Sequence, residues 1–238
     1  QLKELTPGLK TSTDGLTICE TLTKAVRNAD LVQENAPEKT ALKRALYAEI
    51  IAAAPPHAII SSSTSSLTWS ELSEGLPDGS RLITAHPFNP PHLMPLVELF
   101  ASDATVRARA EQFYKALGRE VVVLERDAVG HIANRLASAL WREAVNIVAE
   151  GIADVSAVDR ALVNGPGLRW SVVGAHMGYH LGGGDGGLRH YLQHLGPSQE
   201  DRWKTLGNPA LTPEVCRRLI DGVLEEAKGK DIAQLEAE

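Results

Sequence analysis

Over roughly the first 125 residues the apolar pattern changes period repeatedly, and each change marks an element. Residues 15–21 (GLTICET) and 29–34 (ADLVQE) are short runs rich in apolar and β-branched side chains, and they predict strands. Pro37 predicts the opening of a helix whose Leu42, Leu46 and Ile50, spaced by four, share one face. Pro55 and Pro56 stop that helix, and residues 58–61 follow as a short buried strand. A further strand over 81–85 ends at His86. Ser102 or Asp103 caps the next helix, with Val106, Ala110, Phe113 and Leu117 inward and Gly118 at the left-handed position that closes it. EVVVLE (120–125) is the last strand of this half. Alternating strands and helices with short connections predict an α/β fold with a parallel sheet.

From about Gly130 the pattern is helical only. Ala133, Leu136, Leu140, Ala144 and Ile147 recur at offsets of three and four, and Gly151 ends the run. Ser156 and Asp159 match a capping box opening a short helix to about Val163. GPGLRW (165–170) predicts a turn, and LGGGDGG (181–187) a tight surface loop. Thr212, Pro213 and Glu214 supply an N-cap, a first-turn proline and a dipole-favoured acid for a helix with Val215, Leu219 and Val223 inward. The tail DIAQLEAE is expected to fray. The domain boundary is expected near 125–130, giving an α/β domain over 1–126 and an all-α C-terminal domain over 127–238.

Composition narrows the function class. The chain has 238 residues, 43% hydrophobic and 23% charged, with interspersed charges summing to −6, which argues against nucleic acid as a partner. No apolar run is long enough to cross a bilayer, and no membrane partner is expected. Cys19 and Cys216 lie far apart without CxxC spacing, as expected of free thiols in a reducing cytoplasm.

The most unusual stretch is TAHPFNPPHLMPLVELF (84–100), where prolines at 87, 90, 91 and 95 exclude a helix and make an interior strand improbable. Such a rigid segment suits a site, because catalytic groups must be held within a fraction of an ångström. It is expected to fold back and bring Glu98 to His86. A neutral imidazole takes a hydroxyl proton, and a carboxylate on its other nitrogen fixes the tautomer and stabilises the cation. Ligands sit beyond the carboxyl ends of strands in an open sheet, where Ser65 follows strand 58–61 and His86 ends strand 81–85. Ser65 and Asn134 are the candidates to hydrogen-bond the substrate oxygen.

SSSTSSL, AHPFNPPHLMPLVEL and GHIANRL, in this order and at these separations, resemble the 3-hydroxyacyl-CoA dehydrogenase superfamily across most of the chain. AHPFNPPHLMPLVEL and GPGLRW look more like its L-carnitine dehydrogenase and λ-crystallin (L-gulonate 3-dehydrogenase) types than like the fatty-acid enzymes. The resemblance implies a Rossmann-like sheet, here incomplete, followed by the helical domain. It implies NAD as cofactor and oxidation of a small L-3-hydroxy acid, carnitine-like or gulonate-like, to the 3-keto acid. A 3-hydroxyacyl-CoA such as 3-hydroxybutyryl-CoA, or a structural remnant without cofactor, is the alternative. His86 and Glu98 then match the family's acid–base pair, and Ser65 and Asn134 its substrate contacts. Glu34 and Lys39 match positions near the nicotinamide ribose, and Arg169 is a candidate to hold a free carboxylate bidentately. His131 stands where the family's GFxxNR segment carries an aromatic residue. The family's opening strand–GxGxxG–helix has no counterpart, so a member lacking that segment is expected, with weakened NAD binding. Family members pair through the helical domain, so a homodimer is implied, with Trp141 and Trp170 as candidates for the buried surface.

Two rival readings use the same residues differently. His176 with His180, and His190 with His194, are pairs at helical spacing with Asp185 between them, but without HExxH or a cysteine partner no metal site is expected. A Ser65–His86–Glu98 triad lacks the GxSxG elbow that exposes a nucleophile.

Overall fold

A computed structural model describes residues 15–236. The chain divides into two compact units, one running to Leu136 and the other starting at Ala137. The division falls about ten residues beyond the expected one, because residues 127–136 pack on the first unit rather than on the helices that follow.

The first unit is built on five strands in the order β1–β5: β1 (Leu31–Glu34), β2 (Ile59–Ser62), β3 (Leu82–Pro87), β4 (Leu96–Ala101) and β5 (Glu120–Val123). β1, β2 and β3 are parallel; β4 runs antiparallel to β3, and β5 is parallel to β4. Its helices are α1 (Leu22–Val26), α2 (Thr40–Ala53), α3 (Trp69–Ser73) and α4 (Ala104–Ala116), with α5 (Ala133–Ala149) beginning in this unit. Residues alternate between the two faces of the sheet. Ile60 and Leu82 pack with Tyr47, Ile50 and Leu72 on one side. Ile83, Val97 and Leu99 pack with Ala110 and Tyr114 on the other. Each fully buried leucine of these layers contributes about 1.5–3 kcal/mol.

Several expectations shift. Residues 15–21 form no strand: Thr21 instead caps α1 through the Lys24 amide, an N-cap that ends any extended run. α2 starts at Thr40, and its buried face is Lys43, Tyr47 and Ile50, one position round from the expected stripe, leaving Leu42 exposed. The α4 cap is Asp103, and Gly118 takes φ +73° as expected. Phe113 and Leu117 stay exposed, while Ala110 and Tyr114 make the contact. The largest change concerns the proline segment: residues 96–101 form strand β4, so Glu98 is a strand residue. Proline is tolerated because Pro87 and Pro95 lie at or just outside strand ends.

The second unit continues α5 and adds α6 (Val155–Asn164), α7 (Pro166–Val172), α8 (Ala175–Gly182), α9 (Gly187–Lys204), α10 (Pro213–Ala227) and α11 (Ile232–Glu236). Asp154, not Ser156, caps α6 by accepting from the Ala157 amide. GPGLRW is helical because Pro166 takes the first helical turn, where its missing N–H costs nothing. The glycine run joins α8 to α9 through a 3₁₀ turn at Gly184–Gly186. Thr212 caps α10 as expected, but Val223 is exposed. Residues 232–236 of the tail form α11 rather than fraying.

Candidate active site

β3 and β4 place His86 and Glu98 directly opposite each other in antiparallel register. The twelve-residue separation is therefore the length of a strand pair and its connection. His86 is 4% exposed and Glu98 1%. His86 Nδ1 lies 3.0 Å from Glu98 Oε2, and since an ionised carboxylate only accepts, Nδ1 carries the hydrogen. Glu98 Oε1 accepts from the backbone amides of Ile132 (2.7 Å) and Ala133 (2.8 Å) at the entrance to α5. Burial pushes the Glu98 carboxyl up, but the His86 bond and the two amides outweigh it and hold it below its ordinary value. Among the described residues His86 Nε2 has no hydrogen-bond partner, so the pair leaves one basic nitrogen open.

Ser65 and Asn134 are brought together, though not as two free donors. Asn134 Nδ2 donates to the Ser65 carbonyl at 3.0 Å. This bond uses one amide hydrogen and leaves the other, while the exposed Ser65 hydroxyl has no partner among the described residues.

Sequence reasoning missed the group that shapes the Ser65 loop. Glu38 Oε1 accepts from the Thr64 hydroxyl and the amides of Ser65 (3.0 Å) and Ser66 (3.2 Å), and Glu38 Oε2 lies 3.5 Å from Lys43 Nζ. Burial raises the Glu38 carboxyl, and these donors then bring it below its usual value. Lys43, 1% exposed, binds both oxygens of Glu34 at 2.9 and 3.0 Å and the Ala36 carbonyl at 3.0 Å. Glu34 also accepts from the Tyr47 and Ser62 hydroxyls and the Ala36 amide. Burial and the Glu34 contact push the Tyr47 phenol up. Of the two expected cofactor-side residues, Glu34 is thus committed to a buried network, whereas Lys39 stands exposed at the N-cap of α2 with no side-chain bond among the described residues. The only sequence signal for Lys43 was its spacing of four from Tyr47 on the helix.

Arg169 is exposed on α7 and makes no ion pair among the described residues. His180 Nδ1 accepts from the Leu188 amide and His194 Nδ1 meets the His190 carbonyl; among the described residues no three metal-ligating side chains gather. No described helix is long and apolar enough to cross a membrane.

A dinucleotide in an open sheet lies across the carboxyl ends of parallel strands. Here the ends of β1 and β2 lead into the loops carrying Glu38, Lys39 and Ser65, a polar rim of the kind a dinucleotide needs. Family models agree: residues 3–128 match the 3-hydroxyacyl-CoA dehydrogenase NAD binding domain, and residues 130–229 match the C-terminal domain of the same enzymes. The chain is 45% identical over 230 residues to an L-carnitine dehydrogenase of Streptomyces coelicolor, covering 95% of this chain and 72% of that protein. It is 44% identical over 240 residues to one from Nocardiopsis dassonvillei, covering 100% and 73%. Among solved structures it resembles 5-formyl-3-hydroxy-2-methylpyridine 4-carboxylic acid 5-dehydrogenase, an NAD+-dependent dismutase (TM-score 0.74, 27% identity, 91% of this chain and 67% of that one). It also resembles a 3-hydroxyacyl-CoA dehydrogenase of Archaeoglobus fulgidus (TM-score 0.63, 27% identity, 81% and 65%). The chain belongs to the 3-hydroxyacyl-CoA dehydrogenase family.

Proposed function

We infer that the protein oxidises a small L-3-hydroxy acid, with L-carnitine as the first candidate, to the 3-keto acid in an NAD-dependent reaction. The observation that carries this reading is the buried His86–Glu98 pair with Nε2 left open. The names of the relatives support the choice of substrate. His86 Nε2 takes the proton of the 3-hydroxyl group. Glu98 holds Nδ1–H and faces the imidazolium so formed, while the Ile132 and Ala133 amides keep its carboxylate from turning. Ser65 and the free hydrogen of the Asn134 amide donate to the substrate oxygen as it becomes a carbonyl. Bound NAD supplies the acceptor for the C3 hydride. Lys39 meets the cofactor on the ribose side, Glu34 supports that rim only from its buried network without touching the cofactor, and Arg169 receives the substrate carboxylate.

The test is NADH formation by the purified protein with L-carnitine, L-gulonate, L-3-hydroxybutyrate and 3-hydroxybutyryl-CoA, alongside calorimetric titration with NADH. Turnover of a free acid that is lost in Arg169→Ala supports the reading. Turnover of the CoA ester alone moves the substrate to the thioester class, and absence of NADH binding makes the chain a structural remnant. The second unit exposes Trp141, Ile220, Val223 and Leu224 along one apolar groove, which supports a homodimer through this unit. Light scattering of the wild type and of Trp141→Arg tests it, a monomeric wild type excluding it. A cytoplasmic location completes the reading, supported by two cysteines that form no disulfide.

A further inference from the structure

His131 makes the closest aromatic contact to the dyad. Its ring lies over His86 with centroids 5.1 Å apart and planes within 24° of parallel. The residue is 2% exposed, and its Nε2 is 3.1 Å from the Thr64 carbonyl. A carbonyl only accepts, so Nε2 carries the hydrogen and Nδ1 the lone pair. The backbone here is unusual: Gly130 (φ +72°) and His131 (φ +50°) are consecutive left-handed residues, a conformation unfavourable for a residue with a β-carbon. The turn they make carries the Ile132 and Ala133 amides to Glu98. One three-residue segment thus touches both members of the dyad, His86 through a ring and Glu98 through two amides.

Core filling alone does not require an imidazole at this position, since a phenyl ring would pack as well. The imidazole adds a donor that ties its plane to the Thr64 carbonyl, and hence to the loop that carries Ser65. It also adds a basic nitrogen that must stay unprotonated beside His86. We propose that His131 is a positioning residue: a neutral ring, tied to Thr64, that fixes the plane of the His86 imidazole and lies flat against the imidazolium formed when His86 accepts the substrate proton. The charged or titratable groups facing it are His86 of β3, Glu98 of β4 and Glu38 ahead of α2, with Arg135 in the first turn of the helix that follows. Burial holds His131 below the usual histidine value; the Thr64 carbonyl opposes this and the His86 charge adds to it. Both stacked rings cannot be cations at once without cost, so proton uptake by His86 reinforces the neutral state of its neighbour.

The proposal rests on the dehydrogenase reading for its kinetic consequence but not for its spectroscopic one. In ¹⁵N-resolved imidazole NMR of the wild-type protein, His131 should be the neutral Nε2–H form at pH 7. The His86 Nδ1–H proton, shared with Glu98, should be sharp in wild type and in His131→Phe, which keeps a stacking ring. It should be broadened in His131→Gln, which keeps a donor for Thr64 but loses the ring. With L-carnitine and NAD, His131→Gln should lose about tenfold in kcat with KM within about twofold, and His131→Phe should recover most of that loss. A charged or Nδ1–H His131 at pH 7, or a His131→Gln protein with a sharp His86 resonance, overturns the proposal. So does a change confined to KM. If the wild type turns over no hydroxy acid, the substrate reading falls, and the two NMR signatures still decide the role of His131.

Discussion

The same sheet face carries two buried acid–base pairs, Glu34–Lys43 at the end of β1 and His86–Glu98 across β3 and β4, and they differ in what is left over. Around Glu34 every group is used: its carboxylate accepts from Lys43, Tyr47, Ser62 and the Ala36 amide, and Lys43 reaches the Ala36 carbonyl as well. Around Glu98 the carboxylate is just as fully bonded, to one imidazole and two amides, yet the partner ring keeps Nε2 free. A pair whose donors and acceptors all close on one another is scaffold. A pair that holds one member rigid and leaves it a single unpaired basic atom is equipped to move a proton.

Breaking each pair should therefore fail in a different way. Lys43→Met removes the cation and leaves Glu34 buried without its counter-charge, a change that costs about 3–5 kcal/mol of stability. Urea unfolding should show that loss, while kcat per folded molecule stays near wild type. Equal losses of activity and stability would mean that Lys43 serves chemistry directly. Glu98→Gln acts through the tautomer instead. The Ile132 and Ala133 amides keep an oxygen at the Oε1 position, so the new amide nitrogen faces His86 Nδ1 and donates to it. Nδ1 then loses its hydrogen, Nε2 gains it, and the open position is no longer a base. NADH formation should fall on the order of 10²–10³-fold, with a smaller change in the urea midpoint.

The sequence exposes the second pair more readily than the first, for a physical reason. Histidine and glutamate inside a proline-dense, apolar segment are out of place, and their separation is compatible with contact. The strand that carries Glu98 is hidden, because Pro87 and Pro95 mark strand ends and sequence alone cannot tell an end from an interior. Lys43 is hidden more deeply. A lysine beside Leu42 in a helical pattern is ordinarily a solvated position, and only the tertiary fold of Glu34 and Glu38 around it turns α2 by one residue. The 15–21 segment fails for the converse reason: its apolar residues join no strand of the sheet among the described residues, and the Thr21 cap wins locally. In the sequence His131 stands out only as a departure from the family's aromatic residue, since its stacking depends on a left-handed turn that sequence does not announce.

Acid should separate the groups by where they titrate. His131 is held below the ordinary histidine value of 6.5, so it stays neutral when folded while the unfolded chain takes up a proton. Its contribution is complete above about pH 6.5 and is lost as pH falls from there through the folded value. Glu38 and Glu98 are held below 4.5, so their contributions persist to lower pH and disappear as it falls through their folded values. Urea midpoints measured against pH should fall in two windows. His131→Phe should flatten the upper window and Glu98→Gln the lower one; a single transition unchanged by either substitution would show that neither group controls acid stability.

Thr84 sits between the two pairs on the same face, opposite Ser62 in the β2–β3 register and two residues before His86. Its hydroxyl is buried and has no hydrogen-bond partner among the described residues. Ser62 is already engaged by Glu34 and Tyr47, so the first network ends one strand short of the dyad. If Thr84 is a gap between two independent networks, Thr84→Val should stabilise the fold by about 1 kcal/mol, because it replaces an unpaired buried hydroxyl with a methyl group of the same shape. The pH dependence of kcat/KM should not change. A destabilised Thr84→Val protein with a shifted acid limb would instead show that the hydroxyl carries a bond between the Glu34–Lys43 pair and the His86–Glu98 pair, and the two could no longer be treated as separate devices.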